Sequence, residues 1–268
     1  MWGCCELSAE FGQIGPMMGK WRTWGIAAVL AAGVSGVAFC AWRQPEITPA
    51  MRGEEVARRA GCFACHGPGG LGGVPDPDSS GSTVAGWDPG TAAMYVKSEQ
   101  EISEWILYGA PRDRDPQPDS QASQALFTMP AYEAWLSEEE VTDLVAYFTA
   151  VSGWGPSIPE RAYEGRKVAE RLGCFGCHGH SGMGGMPNPG SLKGQIPPWD
   201  GEAFGDLVRD EGELREWILE GKIGRLWGNP WARHFLDGQI IQMPAYAEFL
   251  SGDELEKLLT YIRWLRER

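Results

Sequence analysis

Two pentapeptides in the chain combine residue types and spacings that can hold a cofactor covalently. Both follow the pattern C-x-x-C-H: Cys62–His66 reads CFACH and Cys174–His178 reads CFGCH. Residues three and four positions apart on a helical turn lie on one side of it, so both thiols and the imidazole can meet one flat ligand. This pattern is the signature of c-type haem attachment. The sequence therefore predicts two covalent haem c groups, with thioethers from Cys62, Cys65, Cys174 and Cys177 and axial nitrogens from His66 and His178.

Two other uses of paired cysteines fit the sequence less well. A zinc site would need further Cys or His ligands downstream of each motif, and a redox-active dithiol would sit in a strand–helix–strand unit. The chain has only four histidines, two of which belong to the motifs, and no segment alternates as a strand does. Haem attachment is the interpretation that remains.

The motifs belong to a longer internal repeat. Positions from Gly53 onwards recur 112 residues later, and from Met129 onwards the offset is 114 residues. The two copies keep register over about ninety residues, which chance does not produce. The repeat predicts two tandem domains, residues 53–153 and 163–268, joined by a linker over residues 154–162.

The local pattern within each copy is helical. Ser137 and Ser251 each precede a Glu by three residues, which predicts a capped helix start, and apolar residues then recur at helical spacing. A further helix is expected from Ser98 to Gly109 and others just before each C-x-x-C-H motif. The predicted fold class is therefore all-α.

Taken together, these features resemble the class I cytochrome c family, in which a C-x-x-C-H motif near the start is followed by a late Met-Pro loop and a closing helix. The resemblance runs from Gly53 to Arg268. It implies that Met129 and Met243, each followed by proline, are the distal haem ligands. A thioether is a soft ligand that suits haem iron. The alternatives are Met94 in the first copy and His234 in the second.

An apolar run of nineteen residues, Trp24 to Trp42, precedes the repeat. This length is just sufficient for a membrane-spanning helix, and we expect an uncleaved anchor behind a tail of residues 1–23. The alternatives are a cleaved export signal and lipidation at Cys40, and either Met17 or Met18 could be the true start. Lys20 and Arg22 favour a cytoplasmic N-terminus. The resemblance implies haem attachment outside the cytoplasm, so we expect the repeat to face the periplasm from the bacterial cytoplasmic membrane.

Net charge differs sharply between the two copies. The whole chain carries a formal charge of −13, which argues against a nucleic-acid partner. Residues 53–153 hold 16 acidic and 5 basic residues, whereas residues 154–268 hold 17 and 14. We expect a basic electron-transfer partner to meet the first copy, drawn by its charge. We also expect the first copy to lie next to the anchor, with the second reaching away from it.

The predicted function is electron transfer between redox partners by a membrane-anchored dihaem cytochrome, as a tethered relay or a subunit of a respiratory or photosynthetic complex. The alternative is a dihaem redox enzyme of the peroxidase or thiosulfate-oxidising type. A peroxidase needs an iron with an open sixth position, and both copies keep Met-Pro. A thiosulfate-oxidising site would need a cysteine ligand, and none lies beyond Cys40 outside the motifs. We therefore predict no catalytic residues.

Overall fold

The structure is a computed structural model, and it describes residues 33, 35–79, 81–112, 126–155 and 158–267. This part of the chain is helical, and its only β pairing is two isolated bridges, Pro75 with Thr83 and Pro187 with Gln195. The all-α prediction is confirmed for these residues. The two bridges occupy equivalent places in the two copies, so even the loops repeat.

Among the described residues, the first copy has five α-helices and the second copy has seven. The first-copy helices are α1 (Pro49–Arg59), α2 (Cys62–His66), α3 (Pro89–Tyr95), α4 (Glu99–Tyr108) and α5 (Glu138–Ser152). The second-copy helices are α6 (Glu160–Arg171), α7 (Phe175–His178), α8 (Ala203–Leu207), α9 (Glu211–Glu220), α10 (Gly224–Trp227), α11 (Pro230–Gly238) and α12 (Gly252–Arg266). Short 3₁₀ turns follow the motif helices at Pro68–Gly70 and His180–Gly182.

Helix starts follow the predicted caps. Ser137 and Ser251 form complete capping boxes with Glu140 and Glu254, in which each side chain bonds the other residue's backbone N–H. Ser98 caps α4 in the same way, by accepting a hydrogen bond from the Glu101 N–H. These bonds satisfy N–H groups that the first turn leaves without partners, so the polar residues fix where each helix begins.

The first and last helices of each copy cross in close contact. A Cβ at Gly53 would overlap the carbonyl oxygen of Asp143 in α5, and one at Gly165 would overlap that of Lys257 in α12. The glycines therefore let two helix backbones approach more closely than any side chain would allow. Each crossing closes its copy, because it joins the start of the domain to its end.

An ion pair flanks each crossing, and its polarity is reversed between the copies. In the first copy Arg52 on α1 makes two hydrogen bonds of 2.8 Å to the buried carboxylate of Asp143 on α5. At the equivalent positions of the second copy, Glu164 on α6 pairs with Lys257 on α12 at 3.2 Å. The charges have exchanged helices while the contact has been kept.

The cores lie between these crossing helices and the motif helices. The first-copy core includes Val56, Leu144, Tyr147 and Val151, with Phe63 and Trp87 packed against it. The second-copy core is centred on α12, whose apolar side is buried almost completely. The predicted helical spacing of apolar residues on the last helix of each copy is confirmed.

The two copies touch through the last helix of the first and the 3₁₀ turn of the second. The Ser181 hydroxyl donates a 2.8 Å hydrogen bond to the Ala150 carbonyl, and Arg166 donates to the Ser181 Oγ. The rings of Tyr147 and His180 meet edge to face at 6.0 Å between centroids. The copies therefore form a packed pair.

Most of the predicted anchor, and all of the predicted tail over residues 1–23, lies outside the described residues. Residues 35–42 are helical, and no helix among the described residues is long and apolar enough to cross a bilayer. The expectation that the first copy lies next to this segment is wrong for its described end. Arg43 bonds the Leu192 carbonyl at 2.8 Å, and the Glu46 carboxylate accepts the N–H groups of Glu202 and Ala203, all in the second copy.

The crossing yields a stability prediction for the Gly53→Ala variant. Alanine normally stabilises a helix interior relative to glycine, by about 1 kcal/mol. Here the added methyl group meets the Asp143 carbonyl, so we expect a net loss of about 3 kcal/mol through overpacking. Denaturant unfolding of the haem-loaded protein, followed by helical circular dichroism, measures the change.

The matched control is Gly205→Ala in α8, where an added Cβ meets no atom within 4 Å. That variant should match the parent stability or exceed it by up to about 1 kcal/mol. Equal stability of the two variants would contradict the close crossing.

Candidate functional site

Each C-x-x-C-H motif forms a short helix bounded by glycines in the left-handed region. In the first copy Gly61 has φ of 80° and Gly67 has φ of 77°. Gly173 and Gly179 take the same places in the second copy, with φ of 74° and 79°. Residues with side chains rarely adopt this conformation, so the glycines set the length of the motif helix. The turn puts both thiols and the imidazole on one side, as the spacing predicts.

The predicted ligands of the first copy line one cavity. It has a volume of about 600 Å³, and its walls include Cys62, Cys65, His66 and Met129. Such a volume lies within the range of about 300–1,000 Å³ typical of cofactor and ligand sites. Most of the remaining wall is apolar, with Trp105, Phe127 and Leu144 among its residues. Residues 66 and 129 are therefore brought together although 63 positions separate them.

Both motif histidines are held in one orientation by a backbone carbonyl. His66 Nδ1 lies 2.6 Å from the Ala85 oxygen, and His178 Nδ1 lies 2.8 Å from the Pro197 oxygen. Burial lowers the pKa of both imidazoles, and the carbonyl contact opposes this more weakly. A neutral imidazole that donates from Nδ1 keeps a lone pair on Nε2, which is the arrangement an iron ligand requires.

The thiols and the imidazoles together fit a covalent haem. Burial raises the pKa of Cys62 and raises that of Cys174 to about 11, so both thiols are protonated at neutral pH. The described residues contain no cluster of three or more His, Cys, Asp and Glu side chains suited to a bare metal ion. Two thiols, one oriented imidazole and a thioether around an apolar cavity are the donors that haem c uses.

A tryptophan packs against each motif histidine. Trp87 lies 5.1 Å from the His66 ring and Trp199 lies 5.1 Å from the His178 ring, centroid to centroid. The indoles rest on glycines, because a Cβ at Gly70 or Gly182 would overlap the six-membered ring of the indole. Each tryptophan, packed on its glycine, therefore supports one imidazole ring.

The Met-Pro loops are supported by the glycines that end α4 and α9. Gly109 has φ of 75° and Gly221 has φ of 68°, and a Cβ at either would overlap the carbonyl oxygen of Met129 or Met243. The N–H groups of Tyr132 and Tyr246 then bond the carbonyls of Ile106 and Ile218 at 3.1 and 3.0 Å. This role depends on a contact between residues far apart in the sequence, so the sequence pattern alone does not predict it.

Tyrosines tie these loops to the opposite part of each copy. The Tyr132 hydroxyl donates to the Ala60 carbonyl at 3.3 Å, and the Tyr246 hydroxyl donates to the Leu172 carbonyl at 3.4 Å. Ala60 and Leu172 directly follow α1 and α6, just before the motifs. Each Met-Pro loop is thus bonded to a residue just before the motif helix of its own copy.

The alternative ligands occupy less suitable places. Met94 is 72% exposed on α3 and does not line the first-copy cavity, whereas Met129 does. In the second copy Met243 packs against the buried core, as do Cys174 and Phe175. His234 is exposed on α11, with its ring against that of Phe235.

Comparison with known proteins gives one matching family. The cytochrome c family matches the chain twice, over residues 50–152 and 162–266. Cytochrome c4 of Azotobacter vinelandii is 28% identical over 171 residues, covering 60% of this chain and 70% of that protein. A solved reducing HAO-like protein complex of Kuenenia stuttgartiensis aligns over 82% of this chain and 97% of its own at 21% identity. Its TM-score is 0.26.

The site geometry predicts the haem count of cysteine variants. Cys174→Ala combined with Cys177→Ala removes both thioethers of one motif, so haem-stained denaturing gels should show about half the parent haem per chain. Cys40→Ala, which alters a cysteine outside both motifs, should leave the count unchanged. Full retention of haem by the double variant would contradict attachment at the second motif.

Proposed function

The chain belongs to the cytochrome c family and carries two covalently bound c-type haems, and from this premise we propose that it is a membrane-anchored relay that passes electrons between partners on the periplasmic side. Electron transfer itself is the function of a dihaem cytochrome. The proposal adds the ligand pairs, the anchor and the partners. The observation that carries it is the first-copy cavity, which Cys62, Cys65, His66 and Met129 all line.

Haem supplies a one-electron couple at its iron, and the protein decides the environment of that couple. We propose that His66 with Met129, and His178 with Met243, would each hold the iron of one haem. The carbonyls of Ala85 and Pro197 hold the imidazoles, and the Tyr132 and Tyr246 hydroxyls hold the methionine loops. The mostly apolar wall of the first-copy cavity would lower the polarity around a bound haem. A pair of fixed ligands keeps the change in geometry between redox states small, which suits a carrier.

The position of the N-terminal segment supports a division of labour between the copies. Arg43 and Glu46, at the end of the apolar run, bond the second copy. If that run is the anchor, the second copy lies close to the membrane and the strongly acidic first copy is free to meet a soluble partner. We propose that this partner is a basic electron-transfer protein, drawn to residues 53–153 by charge.

The distal ligand is tested by Met129→Ala with Met94→Ala as the matched control. Loss of one of two thioether ligands should remove about half of the far-red sulfur-to-iron band of the ferric protein and shift one haem potential. The exposed Met94 should be replaceable without effect. An unchanged band in Met129→Ala, or a halved band in Met94→Ala, would reverse the assignment.

The partner is tested by charge reversal at the start of α5. Glu138 and Glu139 are exposed, whereas Glu140 completes the capping box and pairs with Arg59, so only the first two should be changed. Glu138→Lys with Glu139→Lys should slow electron exchange with a basic cytochrome, and the parent rate should fall as salt screens charges beyond about 8–10 Å.

The second copy offers a control of equal charge change, Glu220→Lys with Glu248→Lys, because both residues are exposed. That variant should retain most of the parent rate at low salt. Equal slowing by both double variants would show that net charge alone governs the exchange.

A further inference from the structure

Helix α11 of the second copy has an apolar side that the protein covers only in part. None of its nine residues is buried, and Trp231 is 51% exposed. Trp231 and Phe235 are four residues apart, and their ring centroids lie 5.1 Å from each other. A surface helix of a globular protein normally buries such a side against the core. The helix is nevertheless well formed, since the Asn229 side chain accepts the N–H groups of Trp231 and Ala232.

This side of α11 meets the end of the apolar N-terminal run. The Phe39 ring lies 5.7 Å from that of Trp231 and 6.2 Å from that of Trp42. We call Phe39, Trp42, Trp231 and Phe235 the aromatic collar. It joins two segments about 190 residues apart in the sequence. It lies where the end of the apolar run meets α11 of the second copy.

Basic side chains accompany the collar. The Arg43 guanidinium lies 4.9 Å from the Phe235 ring centre, and the Lys193 ammonium lies 4.4 Å from that of Trp42. Arg233 on α11 lies 4.9 Å from the Trp227 ring. Aromatic rings with cations beside them, at the end of an apolar segment, are typical of the interface between a bilayer and water.

The collar is held firmly to the second copy. Besides the bonds from Arg43 and Glu46, Lys193 donates to the Trp42 carbonyl at 2.7 Å and Gln195 donates to the Glu46 carbonyl at 3.0 Å. The segment between the run and α1 is therefore fixed to the domain. The described end of the run, residues 35–42, is thereby held beside α11.

The first copy has no counterpart of this composition. Its segment between the equivalent glycine and methionine, residues 110–128, contains no tryptophan, three aspartates and two arginines. The corresponding residues 222–242 contain two tryptophans, three basic residues and one aspartate. The tryptophans and the basic composition are therefore found in the second copy alone, as expected for a surface that meets a partner of that copy only.

We propose that the aromatic collar and α11 lie in the interface of a lipid bilayer with anionic headgroups, so that the second copy rests on the membrane. The proposal rests on the anchor of the proposed function and adds a second contact to it. The apolar side of α11 would enter the headgroup region, and Arg43 and Arg233 would face the lipid phosphates.

The test measures the depth of spin labels on the full-length, haem-loaded protein in vesicles of phosphatidylcholine and phosphatidylglycerol. Cys4, Cys5 and Cys40 are first replaced by Ser. A nitroxide is then attached through Trp231→Cys, or through Ile240→Cys, which lies just beyond α11, is 73% exposed and leaves the collar intact. The control is Trp135→Cys, 82% exposed on the first copy. Power saturation compares collision with oxygen, which dissolves in lipid, and with a water-soluble nickel chelate.

We expect the oxygen-to-nickel collision ratio to be severalfold higher at 231 and 240 than at 135. Equal ratios at all three positions would overturn the proposal. Exclusion of both reagents at 231 and 240 would also overturn it, because it would mean that protein covers the helix. Release of the parent protein from the vesicles by a carbonate wash would instead show that the N-terminal run is not an anchor. That result would contradict the proposed function.

Discussion

Everything else in each copy depends on the close crossing of its first and last helices. Gly53 and Gly165 let the helix backbones meet, and the crossing closes a loop of about one hundred residues around the C-x-x-C-H motif. Tyr147 and Tyr261, which lie one turn along the last helices, then reach the 3₁₀ turns that follow the motifs, at Gly69 and Ser181. One backbone contact thus sets the position of the motif helix relative to the closing helix.

The reversed ion pairs at the two crossings bear on how a duplicated chain folds. A first helix of one copy could in principle pack on the last helix of the other, since both crossings use the same glycine contact. Such a mispairing would place Arg52 beside Lys257 and Glu164 beside Asp143. Like charges in contact are destabilising, so the exchange of charges favours the pairing of each last helix with its own first helix. The pairs of Arg59 with Glu140 and Arg171 with Glu254 keep one polarity and do not discriminate.

The duplicated copies have kept their sites and changed their surfaces. Residues that hold the imidazole and the methionine loop recur with nearly equal distances, because both haems need the same support. The surfaces differ in charge, and Arg43 and Glu46 of the N-terminal segment bond the second copy. Two equivalent redox sites with unlike exteriors can address two unlike partners while sharing the contact at Ala150, His180 and Ser181.

The sequence alone determined the chemistry, because attachment and capping depend on residues a few positions apart. The C-x-x-C-H motifs, the capping serines, the helical spacing and the duplication are all local or periodic features, and the helices follow them. The finding that Met129 lines the cavity whereas Met94 is exposed needed the tertiary structure. So did the roles of Gly53 and Gly109, each of which is defined by a backbone atom distant in sequence. The prediction that the first copy lies next to the N-terminal segment is wrong, because it rests only on adjacency in the chain. Arg43 instead bonds Leu192 of the second copy, 149 residues away. A contact of that range leaves no periodic trace in the sequence, and packing alone decided it.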